Sequence, residues 1–327
     1  MKNVLYFGSY KEAFEHGLSA NSLVQSLSSN KDINLFIRPV YISQYRSVDK
    51  KYLDYEKLPS SDFDIIIQHC PISYLAKPIK KYYNIAIPTN PQKQEDINKL
   101  DTFDLILVDN MSSYEVLTKK YTNKRVKLFG YDDDITKSGS FSIPMYNNTK
   151  KFYFAGEYFG NQQIIQKIIV SFNIAFRSNM GCSLLLFLND HNEYEKDIHG
   201  FIKDTKKKLK IKDALDREII IIGSMNDNIQ AAHRTGDVYL NIYDNAISNY
   251  HCHIAEKNNN QIINTHDTET ISVPAIDDPE YTHGKNKISI LTDSLIKQMA
   301  LAYSHPNKYK KYSYKDTQNI NSFLNVK

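Results

Sequence analysis

Residues 236–263 read GDVYLNIYDNAISNYHCHIAEKNNNQII. Within them, 237–241 is a short apolar run with strand character, and 242–249 is a polar elbow. A helix carrying Glu256 follows, and then a second apolar run at 261–264. Where strands alternate with helices, such an elbow leaves the carboxyl end of a parallel strand and enters a helix N-terminus. Backbone N–H groups and the helix dipole favour anions there, and open α/β sheets bind their ligands outside the carboxyl ends of the strands. The stretch therefore predicts a fold class and the place to look for a site.

The same alternation fills the rest of the chain. Apolar runs at 3–7, 33–39, 64–68, 84–88, 104–108 and 125–129 are separated by helical or polar segments. A second series follows at 152–155, 183–188, 218–222, 237–241 and 261–264. Between its first two members, apolar residues at 164, 165, 168, 169, 172 and 176 form a stripe with helical period. Strands about 20–30 residues apart with helices between them predict parallel, doubly wound sheets. The polar, Gly-, Pro- and Asn-containing stretch 132–150 separates the two series. The expected organisation is α/β: two Rossmann-like parallel-sheet domains at 1–135 and 151–303, a linker at 136–150, and a C-terminal helix at 304–327. The Tyr-rich residues 40–60 read as a long loop, Ser112 to Glu115 as a capping box, and 292–326 as two helices.

At 327 residues the chain is too long for one small core. Apolar content of 41% with 24% charged residues fits a globular protein. The net charge of +4 comes with lysines scattered along the chain apart from 206–208 and 308–311, a pattern that reads as solvated faces, with a nucleic-acid binder as the alternative. Three widely spaced cysteines, an odd number, imply no disulfide framework and a reducing compartment. MKNVLYFGSY enters a strand directly, and no apolar run approaches the ~18–20 residues that span a bilayer. The expectation is a cytoplasmic protein without a membrane span.

The order of pieces around Glu256 resembles the C-terminal half of retaining GT-B glycosyltransferases (family 4-like, glycosyl transferases group 1). In that family an aspartate-led D-V-x-(apolar) strand precedes E-G-F-G-x-x-x-x-E-A-x-A and a short apolar strand. Here Asp237-Val238 opens the strand, Ser248 stands in the place of the first glutamate and Glu256 in that of the second. The resemblance implies two domains facing a cleft, with the nucleotide sugar held by the second. Glu256 would then hydrogen-bond the ribose hydroxyls. Ser248, Asn249, Tyr250 and His251 would line the sugar and diphosphate. Gly223 and Ser224, leaving a buried strand, would meet the base through the backbone. Gly17, just ahead of the first helix, would face the cleft, and His69, at the end of a strand, would contact the sugar or orient the acceptor.

Structural alternatives stand beside these: an exposed helix glutamate for Glu256, a satisfied core histidine for His69, and a helix start capped by Ser19 for the Gly17 region.

One departure concerns charge. The family has glycine, then arginine, then lysine about five residues on, in the first loop of the second domain. Here the loop is Gly156-Glu157-Tyr158-Phe159-Gly160-Asn161-Gln162-Gln163. Gly156 is kept, Glu157 replaces the arginine, and Asn161 and Gln162 fall in the lysine region. Each missing cation costs ~1–3 kcal/mol of phosphate binding unless Arg177, Lys285 or Lys287 reaches in. Two metal motifs are set aside. Asp132-Asp133-Asp134 satisfies D-x-D but lies in a polar turn, and His251-Cys252-His253 lacks zinc-ligand spacing.

The resemblance implies transfer of a sugar from a nucleotide-diphosphate donor to an acceptor (glycan, protein or nucleic acid), with retention. It implies no bound metal and no cofactor beyond the nucleotide sugar as co-substrate; oligomeric state stays open. A GT-B nucleotide-sugar epimerase drawing on His69 and Glu157, a glycosyltransferase acting on nucleic acid, and a non-catalytic two-lobed ligand-binding protein are the alternatives.

Overall fold

Eleven apolar runs become strands in two six-stranded parallel sheets. The structure, a computed structural model, describes residues 1–12, 15–42, 52–57, 62–89, 97–122, 125–132, 149–158, 161–176, 181–189, 195–208, 218–222, 225–242, 250–264, 271–272, 275–277, 288–290, 292–305 and 317–324. Two compact units form. The first comprises Met1–Asp134, Ile247–His253 and Tyr314–Lys327, and the second Ile135–Ala246 and Ile254–Ser313.

In the first unit, β1 (Lys2–Gly8), β2 (Ile33–Pro39), β3 (Ile65–Pro71), β4 (Tyr83–Thr89), β5 (Leu105–Val108) and β6 (Val126–Leu128) lie in the order β2-β1-β3-β4-β5-β6. All pairings are parallel. Strands covered on both faces must be apolar on both, which is why β3, β4 and β5 read as continuous runs and not as alternations. The helices described here are α1 (Glu15–Ser28), α2 (Leu53–Lys57) and α3 (Met111–Lys120).

In the second unit, β7 (Lys150–Glu157), β8 (Cys182–Asn189), β9 (Glu218–Ile222), β10 (Val238–Asn241), β11 (Gln261–Asn264) and β12 (Ile271–Ser272) lie in the order β12-β11-β10-β7-β8-β9. Its helices are α4 (Gln162–Ala175), α5 (Glu195–Lys208), α6 (Met225–Thr235) and α8 (Thr292–Ser304), while α7 (Tyr250–Lys257) is divided, Tyr250–His253 falling in the first unit and Ile254–Lys257 in the second. Alternate residues of β7 and β8, among them Phe152, Phe154, Leu184 and Leu186, pack against Ile164, Ile168 and Phe172 of α4 and Leu295 and Met299 of α8. Each such side chain contributes about 1.5–3 kcal/mol by burial. An antiparallel pair, β13 (Ala275–Asp277) with β14 (Ile288–Ile290), and β12 itself are too short to leave a periodic signal in the sequence.

Four local expectations are corrected. First, α1 begins at Glu15, so Gly17 lies inside its first turn and Ser19, wholly buried, is not its cap. Gly17 is required by contact: a Cβ there would sit 1.9 Å from the Glu12 carbonyl oxygen. Second, the cap of α3 is Asn110, whose extended backbone lets Oδ1 accept from Ser113 N at 2.7 Å, two residues before the expected box. Third, the expected 40–60 loop contains α2.

Fourth, of the two helices expected over 292–326, the described residues hold α8 and, at Ile320–Leu324, a 3-10 turn, while 306–316 lie outside the described residues. That turn is tied to the first unit: Asn321 Nδ2 donates to Ser26 O, and Lys2 Nζ to Leu324 O. Among the described residues no helix is long and apolar enough to cross a membrane.

Candidate functional site

A doubly wound sheet has one place where chain progression reverses direction, and a crevice opens there at the carboxyl ends of the strands. In the second sheet that place lies between β7 and β10. Pairing of β7 with β8 runs its full length to Glu157–Asn189, and pairing of β10 with β11 runs to Asn241–Asn264. Between β7 and β10 the pairing ends at Tyr153–Tyr239. The β7–β10 ladder therefore ends two residues before β10 does, at the topological switch point.

Where that ladder ends, the two strands are clamped. Tyr153, wholly buried, hydrogen-bonds His233 Nδ1 at 2.7 Å through Oη and accepts from Asn260 Nδ2 at 2.7 Å. Asn260 Nδ2 also donates to His233 O. Gly236 leaves the space the Tyr153 ring fills, since a Cβ there would meet ring carbon Cδ1 at 2.0 Å. The three asparagines closing the opening stretch have separate tasks. Asn258 Nδ2 donates to Ile254 O, and Asn259 takes the left-handed conformation (φ 61°). The N–H groups of Asn259 and Asn260 close on the Glu256 and Ala255 carbonyls. This is a Schellman ending, and it fixes α7 while delivering Asn260 to Tyr153.

Around the switch point, β7 ends in buried Gly156 and half-buried Glu157, and α4 starts at Gln162. The Asn161 side chain does not cap α4; Nδ2 turns back to Glu157 O at 3.0 Å. The first turn of α4 holds no acidic residue, and the N-terminal end of a helix dipole is positive. Gly156, Asn161 and Gln162 are thus brought together at the carboxyl end of β7.

The helix α7, which follows β10, carries Tyr250, His251 and Glu256. Tyr250 through Ala255 are buried and Glu256 is half-buried. Burial alone pushes the His251 imidazole down to about 3, so at neutral pH it brings no positive charge to an anion. Gly223, Ser224, Ser248 and Asn249, with Arg177, Lys285 and Lys287, lie outside the described residues.

The switch point of the first sheet lies between β1 and β3. Here pairing continues to the last residues, Gly8–His69. His69 is 2% exposed and its Nδ1 meets Tyr6 Oη at 2.8 Å, with the rings edge to face. Desolvation raises the Tyr6 phenol well above its ordinary range. Gly8 again makes room, since a Cβ there would press on the Tyr6 ring at 2.5 Å.

The loop after β1 holds charged and polar groups that were not singled out from the sequence. Glu12, 2% exposed, accepts from Ile42 N at 2.7 Å. Glu56 of α2 accepts from Tyr10 Oη and from Lys11 Nζ, the latter a largely buried ion pair at 2.7 Å. The signal available was a Tyr-Lys-Glu run directly after a strand exit. Among the described residues no three His, Cys, Asp or Glu side chains gather as a metal site would require.

No family model and no curated protein matches the chain. Solved structures match it in fold. Sucrose-phosphate synthase from Thermosynechococcus elongatus superposes with a TM-score of 0.57 at 9% identity, over 95% of this chain and 92% of that one. UDP-GlcNAc 2-epimerase from Neisseria meningitidis, bound to UDP-GlcNAc, gives 0.55 at 13% identity, over 95% and 94%. The lipopolysaccharide outer core galactosyltransferase WaaB, in its apo form, gives 0.52 at 12% identity, over 94% and 92%. These likenesses show the fold, which is GT-B-like: two Rossmann-like parallel-sheet units in one chain.

Proposed function

We propose that the protein is a glycosyltransferase that takes a sugar from a nucleotide-diphosphate donor and that the second unit holds the donor. The observation that carries this is the switch point between β7 and β10, where the ladder ends at Tyr153–Tyr239, with Gly156, Asn161 and the start of α4 on one side and the exit of β10 on the other. An anionic diphosphate suits a helix N-terminus at a sheet's switch point, and Glu256 offers a carboxylate that accepts hydrogen bonds from ribose hydroxyls. The fold likeness to two sugar-transferring proteins supports the class.

In this proposal the sugar moves with retention, as in the family the Glu256 stretch resembles. The acceptor oxygen bonds to the anomeric carbon on the face the diphosphate leaves. Its proton passes to a departing phosphate oxygen, and the nucleoside diphosphate is released. Protein groups position the partners and stabilise charge, without assigning a bound metal or further cofactor.

A thermal-shift panel of UDP, GDP, ADP and CMP with their sugars tests the reading, because a ligand bound only to the folded chain raises its melting temperature. One nucleotide family is expected to shift wild type, and Glu256→Ala to lose at least tenfold in apparent affinity. No shift at millimolar ligand refutes it. The likeness to a 2-epimerase favours a second reading, nucleotide-sugar epimerisation. It is separated by product: a new sugar nucleotide without release of nucleoside diphosphate.

A further inference from the structure

The connection from β3 to β4 contains no α-helix: after Pro71 comes one 3-10 turn, Ile72–Tyr74, and then a strap to Tyr83. The strap is pinned along its length. Ile72 and Leu75 are buried in the first unit's core, and Gln68 of β3 exchanges two hydrogen bonds with the Ala76 backbone. The Ile79 carbonyl accepts from both Tyr82 N and Asn84 Nδ2. Held this way, the strap presents Tyr74 at 51% exposure and Ile79 at 55%, two of the most exposed large apolar side chains among the described residues. Residues 71–82, PISYLAKPIKKY, hold three lysines and no acidic residue or arginine. Lys81 is paired with Asp62, while Lys77 and Lys80 are exposed and have no carboxylate partner among the described residues. Exposed Lys99 reaches the same strap, donating to Ser73 O at 2.9 Å.

We infer that this strap docks the protein on an anionic membrane surface. Ile79 and Tyr74 would enter the headgroup boundary, and Lys77, Lys80 and Lys99 would face lipid phosphates. Charge complementarity selects an anionic partner. Ile79, the more exposed of the two beside Pro78, favours lipid over nucleic acid, because an aliphatic side chain offers no plane for base stacking and the strap has no arginine. The inference is independent of the sugar-transfer proposal.

The test is co-sedimentation of the full chain with vesicles of phosphatidylcholine alone or mixed with phosphatidylglycerol, at low and high salt. Binding is expected only with phosphatidylglycerol and is expected to fall with salt. Near an anionic surface each lysine is worth about fivefold in partitioning, so Lys77→Glu/Lys80→Glu should bind at least tenfold more weakly. Ile79→Asp should also release the protein, and both variants should keep the wild-type melting temperature. Three results overturn the inference: equal binding to neutral vesicles, unchanged binding by both variants, or binding to single-stranded RNA at the same salt with none to vesicles.

Discussion

The two switch points are built from the same pieces and end differently. Each has a buried tyrosine on the first strand of its sheet, bonded to a histidine Nδ1, and a glycine that makes room for the tyrosine ring. In the first unit the pair is Tyr6 with His69, and His69 sits on the neighbouring strand in a ladder that stays closed to Gly8–His69. In the second unit the pair is Tyr153 with His233, and His233 comes from α6, ahead of β10, so the clamp sits at the last pair of a ladder that ends at Tyr153–Tyr239. One chemical motif thus closes the carboxyl end of one sheet and braces the end of a shorter ladder in the other.

The largest effect expected from breaking the contrast comes at Gly236. Alanine there would drive a methyl group into a buried ring flanked by Tyr239 and Phe187, costing about 3 kcal/mol. Urea denaturation reads it directly. A loss below ~1 kcal/mol would mean the clamp yields easily and does not brace the switch point.

Acid gives the next effect. His251 roots α7, and its folded-state pKa of about 3 lies below the ordinary 6.5. Above pH 6.5 neither state takes the proton, so stability is flat. Between 6.5 and 3 the unfolded chain binds a proton the folded chain refuses, and stability falls by ~1.4 kcal/mol per unit as pH drops. From pH 6.5 to 5 that is a loss of about 2 kcal/mol. Repeating the denaturation with His251→Gln should flatten this slope, and an equal slope in the variant would locate the acid sensitivity elsewhere.

Removing the two hydroxyls compares the pairs themselves. Tyr153→Phe strands His233 Nδ1 and one bond of Asn260, whereas Tyr6→Phe strands His69 Nδ1. With ~1 kcal/mol for each buried partner left without that bond, Tyr153→Phe should cost about 2 kcal/mol and Tyr6→Phe about 1. The reverse ranking would show that the first switch point is the more tightly sealed.

What could be read from the sequence follows from what each signal reports. Continuous apolar runs such as 105–108 and 184–188 announce strands covered on both faces, and their spacing announces parallel sheets. Strand order is invisible in a single sequence, because β7 finds β10 only through packing set by the whole sheet. Hence Gly156 and Asn161 could be placed at a strand exit while the switch point beside them could not.

The start of α3 is set upstream of the capping-box pattern, where the Asn110 side chain accepts from Ser113 N. Buried partners were equally hidden. Nothing local to Asn260 says that its amide will reach Tyr153, 107 residues away. His69 fits the picture of a satisfied core histidine through a tyrosine 63 residues back.

The smallest effect sharpens the first switch point. Thr89 ends β4, paired with Pro71 two residues beyond His69 on β3. Its Oγ1 is buried, with no hydrogen-bond partner. A hydroxyl taken from water without a partner destabilises the fold, so Thr89→Val, which keeps the shape and removes the oxygen, should stabilise by up to about 1 kcal/mol. The donor lies in the second unit in the proposed function, so the nucleotide-induced thermal shift should be unchanged. If Thr89→Val instead weakens that shift, the hydroxyl already serves a ligand. The carboxyl edge of the first sheet would then be open beyond β3 even though the β1–β3 ladder beside it is closed.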